Sequence, residues 1–251
     1  MTAPRLQILE GKKLVRVEAA RVDELCAAAE RVLIDVGTGD ARTAYRVAKA
    51  NPAWLVIGVD PAWQRMVPTA VRAARKEAKG GAPNLLLVNS SIETVPDVLR
   101  ERADEVTALM PWGKLLRGIV LGDADVCLGL RAAAKSGAPL DIAIGTSIWR
   151  DPVPIGLRDL PELTVEYAET VLADRFAHSG WTISEARLVP HTELDQPAAG
   201  GGAGSGSSAG VNSSSWARRL GSGTTETVIH LRAVAGQVPD PVDPRAPMRT
   251  E

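Results

Sequence analysis

The stretch Leu33-Ile34-Asp35-Val36-Gly37-Thr38-Gly39-Asp40-Ala41 decides the fold of this chain. An apolar strand leads directly into a glycine turn with a carboxylate on either side, and a second strand, Val56-Ile57-Gly58-Val59-Asp60, also ends in a carboxylate. Strand, glycine turn and helix in this order form the crevice in which open parallel sheets hold nucleotide cofactors. The stretch therefore predicts a nucleotide-cofactor site where two neighbouring strands end.

The carboxylates at this turn indicate which cofactor binds. A dinucleotide site needs a third glycine and presents helix amides to a pyrophosphate, but that position falls on Arg42, and Asp35 and Asp40 would repel a pyrophosphate. Two carboxylates suit a cofactor with an ammonium and a sulfonium, and Asp60 can accept both hydroxyl hydrogens of a ribose diol. The predicted cofactor is S-adenosylmethionine. Alternatively, Asp40 only caps the helix starting near Ala41, and Asp35 is a solvated strand end.

Composition restricts the class of protein. A chain of 251 residues with 45% hydrophobic and 24% charged residues is typical of one globular domain with a substantial core. Neither a membrane span of roughly 18 apolar residues nor a secretion signal is visible, so we expect a cytoplasmic protein. Cys26 and Cys127 lie in apolar surroundings without a CxxC pair. We therefore expect neither a metal site nor a disulfide.

Charge is distributed unevenly along the chain. The net charge of −1 argues against a protein that grips naked nucleic acid through a general positive field. Five cations nevertheless share one predicted helix with a single acid, Glu77; they are Arg65, Arg72, Arg75, Lys76 and Lys79. Lys12, Lys13 and Arg16 form a second small cluster. Such faces dock a polyanion, or they are merely solvated.

Strands and helices alternate along most of the chain. A hairpin is predicted over 6–17, strands over 31–36, 54–59, 84–89, 104–109 and 139–145, and helices over 19–30, 41–50, 63–79, about 94–102 and about 113–135. This alternation is typical of a doubly wound parallel sheet in an α/β fold. After Gly145 come a loop rich in proline and glycine, a helix over about 164–179, and strands over 182–190 and 225–234.

We expect a single domain over 1–236. The hairpin (1–18) is expected to be an N-terminal extension, and the loops 146–161 and 195–215 to be insertions. The second loop is almost all Ala, Gly and Ser, so we interpret it as mobile until substrate arrives. The proline-rich tail, 237–251, is expected to be disordered.

Tryptophan is overrepresented, with six residues against one phenylalanine. Trp112 follows the fourth strand of the predicted parallel sheet at its carboxyl end, and Trp216 closes the Gly-Ser segment. One ring on a rigid strand end and one on a flexible flap would form the two faces of a slot for a flat base. The alternative is that both are ordinary packing residues. The roles of Trp63 and Trp149 are left open.

Five stretches together resemble the aminoglycoside-resistance 16S ribosomal RNA (adenine-N1) methyltransferases of antibiotic-producing actinomycetes. They are Asp-Val-Gly-Thr-Gly-Asp (35–40), Gly-Val-Asp-Pro (58–61), Asn-Ser-Ser-Ile-Glu (89–93), Leu-Met-Pro-Trp-Gly-Lys-Leu-Leu (109–116) and Ser-Ser-Trp-Ala-Arg-Arg-Leu (214–220). The resemblance covers about residues 1–236. It implies methylation of one decoding-site adenine in the assembled 30S subunit, which blocks certain aminoglycosides, and a seven-stranded, Rossmann-like class I methyltransferase fold.

The resemblance also implies roles for individual residues. Ser91, Ile92 and Glu93 would border the cofactor adenine, Trp112 and Trp216 would sandwich the target base, and Ser214 would help to hold the flap. We expect the other cofactor contacts from Asp35, Gly37, Gly39, Asp60, Pro61 and Leu109. We expect RNA contacts from Arg65, Arg72, Arg75, Lys76, Arg218 and Arg219. A monomer without a metal ion or membrane attachment is expected.

Two other functions remain open at this point. In one, the protein is a small-molecule methyltransferase whose loops cover a natural-product pocket. In the other, it is a cofactor-binding protein that interacts with RNA without turnover. Adenine N1 carries an available lone pair, so transfer to it needs no general base, in agreement with a site that lacks a candidate histidine. Met-Pro-Trp-Gly stands where methyltransferases of exocyclic amines typically show an Asn-Pro-Pro-Tyr-like motif.

Overall fold

A nine-stranded mixed sheet runs through the described residues, 5–150, 152–190 and 227–237 of a computed structural model. Its strands are β1 (Arg5–Glu10), β2 (Lys13–Glu18), β3 (Arg31–Val36), β4 (Trp54–Val59), β5 (Leu85–Val88), β6 (Glu105–Leu109), β7 (Pro139–Gly145), β8 (Trp181–Pro190) and β9 (Thr227–Ala235). The order across the sheet is β2-β1-β5-β4-β3-β6-β7-β9-β8. Strands β3 to β7 are parallel, and β9 runs antiparallel between β7 and β8.

Helices cover both faces of the sheet. They are α1 (Ala19–Ala28), α2 (Arg42–Ala50), α3 (Val67–Ala73), α4 (Gly113–Leu121), α5 (Ala124–Ala133), α6 (Val165–Tyr167) and α7 (Ala173–His178), the last two joined by a π-helical turn, Ala168–Leu172. Helices α2 and α3 pack on one face, whereas α1, α4, α5 and α7 pack on the other and form the main core. Because both faces are covered, the central strands are mostly apolar. This arrangement is the predicted doubly wound α/β fold.

The N-terminal hairpin is part of the sheet. Strand β1 pairs with β2 and, through Ile8 and Val88, with β5. The sheet thus consists of the two hairpin strands and seven further strands, β3 to β9. Because β1 runs antiparallel to β5, the turn that holds Lys12 and Lys13 lies at the edge opposite the carboxyl ends of the parallel strands.

The prediction of one helix over 63–79 is wrong. Residues Trp63–Met66 form a 3₁₀ turn, α3 follows, and Glu77–Lys79 form another short turn. Pro68 lacks an amide hydrogen and suits the first turn of a new helix. Lys76 has an extended backbone, with ψ 145, which ends the helical conformation. The cations of this segment are exposed, but they follow a broken path rather than one helical face.

Two further segments differ from their predictions. One predicted helix is divided into separate turns, and one predicted loop contains ordered turns. The helix predicted near 94–102 is two single turns, Ile92–Thr94 and Asp97–Leu99, with Pro96 between them. The predicted loop 146–161 contains the short turns Thr146–Trp149 and Ile155–Leu157. Three leucines of this region pack into the main core; they are Leu157, Leu160 and Leu163. Burial of these side chains anchors a segment whose sequence reads as a loop.

Several predicted features lie outside the described residues. They are the loop 195–215, the tail beyond 237, Ser214, Trp216, Arg218 and Arg219. The division into one domain, two insertions and a tail therefore stays a prediction. Within the described ranges, no helix is both long and apolar enough to cross a membrane.

Candidate active site

The loop between β3 and α2 has three residues with left-handed backbone. They are Gly37 (φ +69), Gly39 (φ +61) and Ala41 (φ +57). A Cβ on Gly37 would lie 2.5 Å from Cδ2 of Leu115 on α4, so the loop packs closely against that helix. The sequence pattern places the third glycine position at Arg42, whereas the third left-handed residue is the buried Ala41. Because side chains disfavour this conformation, its surroundings must hold the loop in place.

Asp60 connects this loop to the end of β4. Its Oδ2 accepts the Gly39 amide at 2.9 Å, and its Oδ1 accepts the Ala62 amide at 2.7 Å. Each carboxylate oxygen has further acceptor capacity, so the half-buried Asp60 can still accept the hydroxyls of a ribose. Pro61 follows at the exposed start of the next turn. Asp60 thus orders the loop and offers a ligand contact with the same group.

Asp35 is buried behind the loop, with 4% of its surface exposed. Its two oxygens accept the hydroxyls of Thr38 at 2.6 Å and Thr107 at 2.9 Å. Burial raises the pKa of Asp35 to about 6, although both hydroxyls lower it. The alternative of a solvated strand end is therefore wrong for Asp35, and contact with a cofactor ammonium stays a prediction. Asp40 accepts the amide of Arg42 at 3.2 Å, but the N-cap of α2 is Ala41 and no side chain caps that helix.

The turn after β5 brings Ser91, Ile92 and Glu93 to the same edge. Ile92 is buried in the main core, and the hydroxyl of Ser91 lies 3.1 Å from that of Thr94. Glu93 keeps 12% of its side chain exposed, and its Oε1 lies 3.1 Å from Nζ of Lys114 at the start of α4. Burial alone would raise the pKa of Glu93, but its own amide and Lys114 hold it below the usual value. Glu93 thus faces this edge as a carboxylate.

Gly129 is a site residue that the sequence analysis missed. It lies inside α5, and a Cβ there would be 2.0 Å from the carbonyl oxygen of Ile92. The turn that carries Ser91 and Glu93 therefore rests directly on the helix backbone. The available signal was a glycine inside a predicted helix, which often marks a close packing contact.

The end of β6 carries Trp112 to this edge. Leu109 is the last residue of the strand and is half-buried, Met110 has a left-handed backbone with φ +50, and Pro111 is buried. Trp112 is half-buried, packs against the main core and directly precedes α4. Since β3, β4, β5 and β6 are parallel neighbours, their carboxyl ends form one crevice. The fold thus brings the predicted cofactor residues and Trp112 together.

Comparison with known proteins identifies the family. The family model described as "NpmA: 16S rRNA (adenine(1408)-N(1))-methyltransferase" matches residues 7–235. This chain belongs to that family. A methyltransferase of this name from Streptoalloteichus hindustanus is 36% identical over 184 residues, covering 73% of this chain and 84% of the relative. The predicted family, its methyltransferase class and the α/β fold are confirmed.

Two solved structures of the family extend the comparison. A tryptophan-to-alanine variant of the 16S rRNA (adenine(1408)-N(1))-methyltransferase from Catenulisporales acidiphilia, solved with the cosubstrate SAM, is 63% identical, with a TM-score of 0.83. It covers 94% of this chain and 100% of its own. The aminoglycoside resistance methyltransferase NpmB1 is 28% identical, with a TM-score of 0.72, over 92% of this chain and 99% of its own.

The two undecided tryptophans of this family member lie in packed positions. Trp63 packs against the small core cluster between α3 and the sheet, which contains Met66 and Leu87. Trp149 packs against the main core, and its buried Nε1 has no hydrogen-bond partner among the described residues. Both rings are half-buried, so each has one part packed against the protein and one part exposed to solvent.

Four of the six predicted RNA-contacting cations lie in the described segment that follows β4. Arg65 lies in the turn that begins three residues after Asp60, and Arg72 stacks on Tyr45 at 4.7 Å from the ring centre. Arg75 and Lys76 follow the end of α3. These side chains are exposed and accessible to a polyanion.

Neither cysteine has the properties of a reactive thiol. Burial raises the pKa of Cys127 to about 12 and also raises that of the half-buried Cys26, so both thiols stay protonated. Among the described residues, no group of three or more His, Cys, Asp or Glu side chains is arranged to hold a metal ion. The crevice is the candidate for both cofactor and substrate.

Proposed function

We propose that this protein transfers a methyl group from S-adenosylmethionine to N1 of adenine 1408 in 16S rRNA of the assembled 30S subunit, conferring aminoglycoside resistance. The observation that best supports this proposal is that the glycine loop, Asp60, the 91–93 turn and Trp112 lie at the same end of the sheet, in a chain that belongs to this family. A ribosomal substrate places the reaction in the cytoplasm. We expect the protein to act as a monomer and without a metal ion.

The residues at this edge suit S-adenosylmethionine. Asp60 would accept the ribose hydroxyls, and the glycine loop would lie against the methionine portion. The turn with Ser91, Ile92 and Glu93 would border the adenine, and Leu109 would line the crevice beside it. When bound, the cofactor supplies an electrophilic methyl group on a sulfonium. The negative charges of Asp35 and Asp60 favour a cationic ligand here.

The described part of the crevice requires no general base. The lone pair of adenine N1 is free to attack at neutral pH, and the histidines of the described residues lie elsewhere. His178 is exposed at the end of α7. His230 lies on β9, with Nε2 3.1 Å from Asp141. Catalysis then rests on holding N1 in line with the methyl group and on displacing water.

Trp112 and Trp216 would hold the target base between them. Stacking contributes about 1–3 kcal/mol per base, which offsets much of the few kcal/mol that extrusion of a base costs. Methyl transfer moves positive charge onto the adenine, and indole faces stabilise such a cation. Trp112 supports this role because it packs against the core yet keeps part of its surface exposed. Ser214 would help to hold the segment of Trp216.

Binding to the ribosome would depend on a few basic patches, since the whole chain has a net charge of −1. Arg65, Arg72, Arg75 and Lys76 form the described patch beside the crevice. Arg218 and Arg219 would add a second patch next to Trp216. Recognition through separated patches requires a folded RNA surface. Intact 30S subunits should therefore be substrates, and the isolated decoding-site hairpin should be a poor one.

A reverse-transcription assay tests this function. Purified protein is incubated with unmethylated 30S subunits and labelled S-adenosylmethionine, and the 16S rRNA is copied afterwards. N1-methyladenine blocks Watson–Crick pairing, so copying should stop at adenine 1408, and the label should enter the RNA. Binding of S-adenosylmethionine without label transfer would support a non-catalytic protein, and turnover only with small molecules would support the other rival. Efficient methylation of the isolated hairpin would contradict recognition of the assembled subunit.

A further inference from the structure

The first turn of α4 contacts both segments that form the cofactor site. Helix α4 begins directly after Trp112. Nζ of Lys114 lies 3.1 Å from Oε1 of Glu93 in the turn after β5. The next residue, Leu115, fills the space beside Gly37, where a Cβ would lie 2.5 Å from its Cδ2. Two consecutive side chains therefore join α4 to the turn after β5 and to the glycine loop.

The contact between Leu115 and Gly37 is closely packed. Gly37 has a left-handed backbone, with φ +69, and its lack of a side chain leaves room for Leu115. Leu115 is half-buried and packs against the main core as well. Closely packed groups have low compressibility, so a displacement of one is transmitted to the other. The glycine loop and the start of α4 should therefore move together.

The contact between Lys114 and Glu93 is electrostatic. The side chain of Glu93 is 12% exposed, whereas that of Lys114 is 81% exposed. A carboxylate that has lost most of its water is stabilised by a neighbouring cation, and Lys114 supplies that charge. Ion pairs with a solvent-exposed partner contribute little to the stability of a fold. Loss of the Lys114 charge should therefore release Glu93 from α4 and leave the fold intact.

Trp112 is the N-cap residue of the same helix. Only Gly113 separates it from Lys114, and its side chain packs against the main core. Regular helical geometry fixes each residue of a turn relative to its neighbours, so a shift of the first turn of α4 also shifts Trp112. The position of Trp112 thus depends on the contacts that Lys114 and Leu115 make.

We propose that Lys114 and Leu115 are positioning residues that couple occupancy of the cofactor site to the position of Trp112. When the glycine loop and the turn of Glu93 become ordered around the cofactor, both contacts pass that order to the start of α4. The inference rests on the proposed function, because it assumes that Trp112 holds the target adenine. Placing Trp112 before the base arrives reduces the ordering that substrate binding must supply.

Substitutions at Lys114 test the electrostatic contact. Lys114→Met removes the charge and keeps the length of the side chain, whereas Lys114→Arg retains the charge. Lys135→Met is the matched control, because Lys135 makes an ion pair of the same kind with Asp104, at 2.7 Å, where β6 begins. Each variant is assayed by calorimetric titration with S-adenosylmethionine and by single-turnover methylation of 30S subunits at saturating cofactor.

Lys114→Met should lower the saturated single-turnover rate by about 10-fold, since a misplacement of about 1 Å costs about 100-fold and a smaller shift costs less. Lys114→Arg and Lys135→Met should stay within about two-fold of wild type. In a Glu93→Gln background, Lys114→Met should lower the rate by less than about two-fold, because the two groups act as a pair. A wild-type rate in Lys114→Met would overturn the proposal. Equal losses in both backgrounds would also overturn it, because Lys114 would then act on another partner, such as an RNA phosphate.

Leu115→Ala tests the packing contact, and Leu121→Ala is its matched control. Leu121 is the last residue of α4, and both leucines are half-buried and pack against the main core. Both substitutions should lower the Tm by similar amounts, but only Leu115→Ala should lower the saturated single-turnover rate, by about 10-fold. Equal rates in the two variants would overturn the proposal. The Lys114 variants change an exposed side chain, so they decide the proposal even if Leu115→Ala does not fold.

Hydrogen exchange gives a readout that does not depend on methylation. In wild type, saturating S-adenosylmethionine should slow exchange of the amides of residues 113–118 as well as those of the glycine loop. In the double variant Lys114→Met/Leu115→Ala, the slowing should persist in the glycine loop and disappear from 113–118. Slowing of 113–118 that is absent from wild type, or equal in wild type and the double variant, would overturn the proposal. If wild-type protein fails to methylate 30S subunits, the proposed function fails, and the exchange experiment still decides whether the cofactor site and the start of α4 are coupled.

Discussion

Substituting Gly129 by alanine should displace the turn that carries Ser91, Ile92 and Glu93, because this turn rests on the backbone of α5 at Gly129. The added methyl group would lie 2.0 Å from the carbonyl oxygen of Ile92 and 2.8 Å from its carbon, distances that real Cβ contacts essentially never show. Alanine exceeds glycine in helix propensity by about 1 kcal/mol, whereas overpacking a close contact costs about 1–3 kcal/mol. The neighbour is backbone, which cannot rotate away. We therefore expect overpacking to dominate, with a net destabilisation of up to about 2 kcal/mol.

Both stability and cofactor affinity report this change. A net loss of about 2 kcal/mol corresponds to a Tm lower by about 4–8 °C in a domain of this size. Restoring a normal contact requires the turn to move by about 1 Å relative to α5. If the displacement of Ser91 and Glu93 reduces the binding free energy of S-adenosylmethionine by about 1.4 kcal/mol, its Kd rises about ten-fold. Thermal denaturation and calorimetric titration measure the two effects.

Gly156→Ala is the matched control for this substitution. A Cβ on Gly156 meets nothing within 4 Å, and the residue does not have a left-handed backbone. Its Tm and cofactor affinity should therefore match wild type. A Gly129→Ala protein with wild-type Tm and wild-type affinity would refute the reasoning, because it would show that the turn does not rest rigidly on α5.

Three other perturbations test the remaining parts of the site. Trp112→Ala or Trp216→Ala should lower methylation by about 100-fold or more with cofactor affinity near wild type; parallel loss of cofactor binding would assign the rings to the fold. Arg75→Glu should weaken 30S binding and reduce its salt slope by about 1, whereas Lys12→Glu, at the opposite sheet edge, should not; equal effects would leave the Arg75 patch merely solvated. The pKa of Asp35 is raised from 3.8 to about 6, so its stabilising contribution is complete below about pH 4 and is lost as pH rises through 6. In denaturant titrations, Asp35→Asn should therefore gain about 2 kcal/mol of unfolding free energy relative to wild type between pH 4 and 6, and about 3 kcal/mol between pH 3 and 7; a flat difference would contradict the burial effect.

Buried parallel strands were predictable with little error. Strands β3, β4 and β7 span the residues that the pattern predicts, because a strand covered on both faces is a continuous apolar run bounded by turn residues. The structure of residues 63–79 was not predictable, because their alternation of apolar and basic residues is typical of one continuous helix. Pro68 and the extended Lys76 interrupt it. The hairpin was predicted as local structure, but its attachment to β5 is a contact between distant parts of the chain.

The sequence by itself determined the features whose cause is local. Glycines in the turn after β3, the carboxylate that ends β4 and the Pro-Trp-Gly motif after β6 each express a chemical requirement within a few residues. The tertiary structure alone decided the burial of Asp35 and the contact of Gly129 with Ile92. Those properties depend on which side chains and backbone groups come within contact distance once the sheet is assembled. Hydrophobic periodicity identifies the faces that pack, but it does not specify the partner that each atom meets.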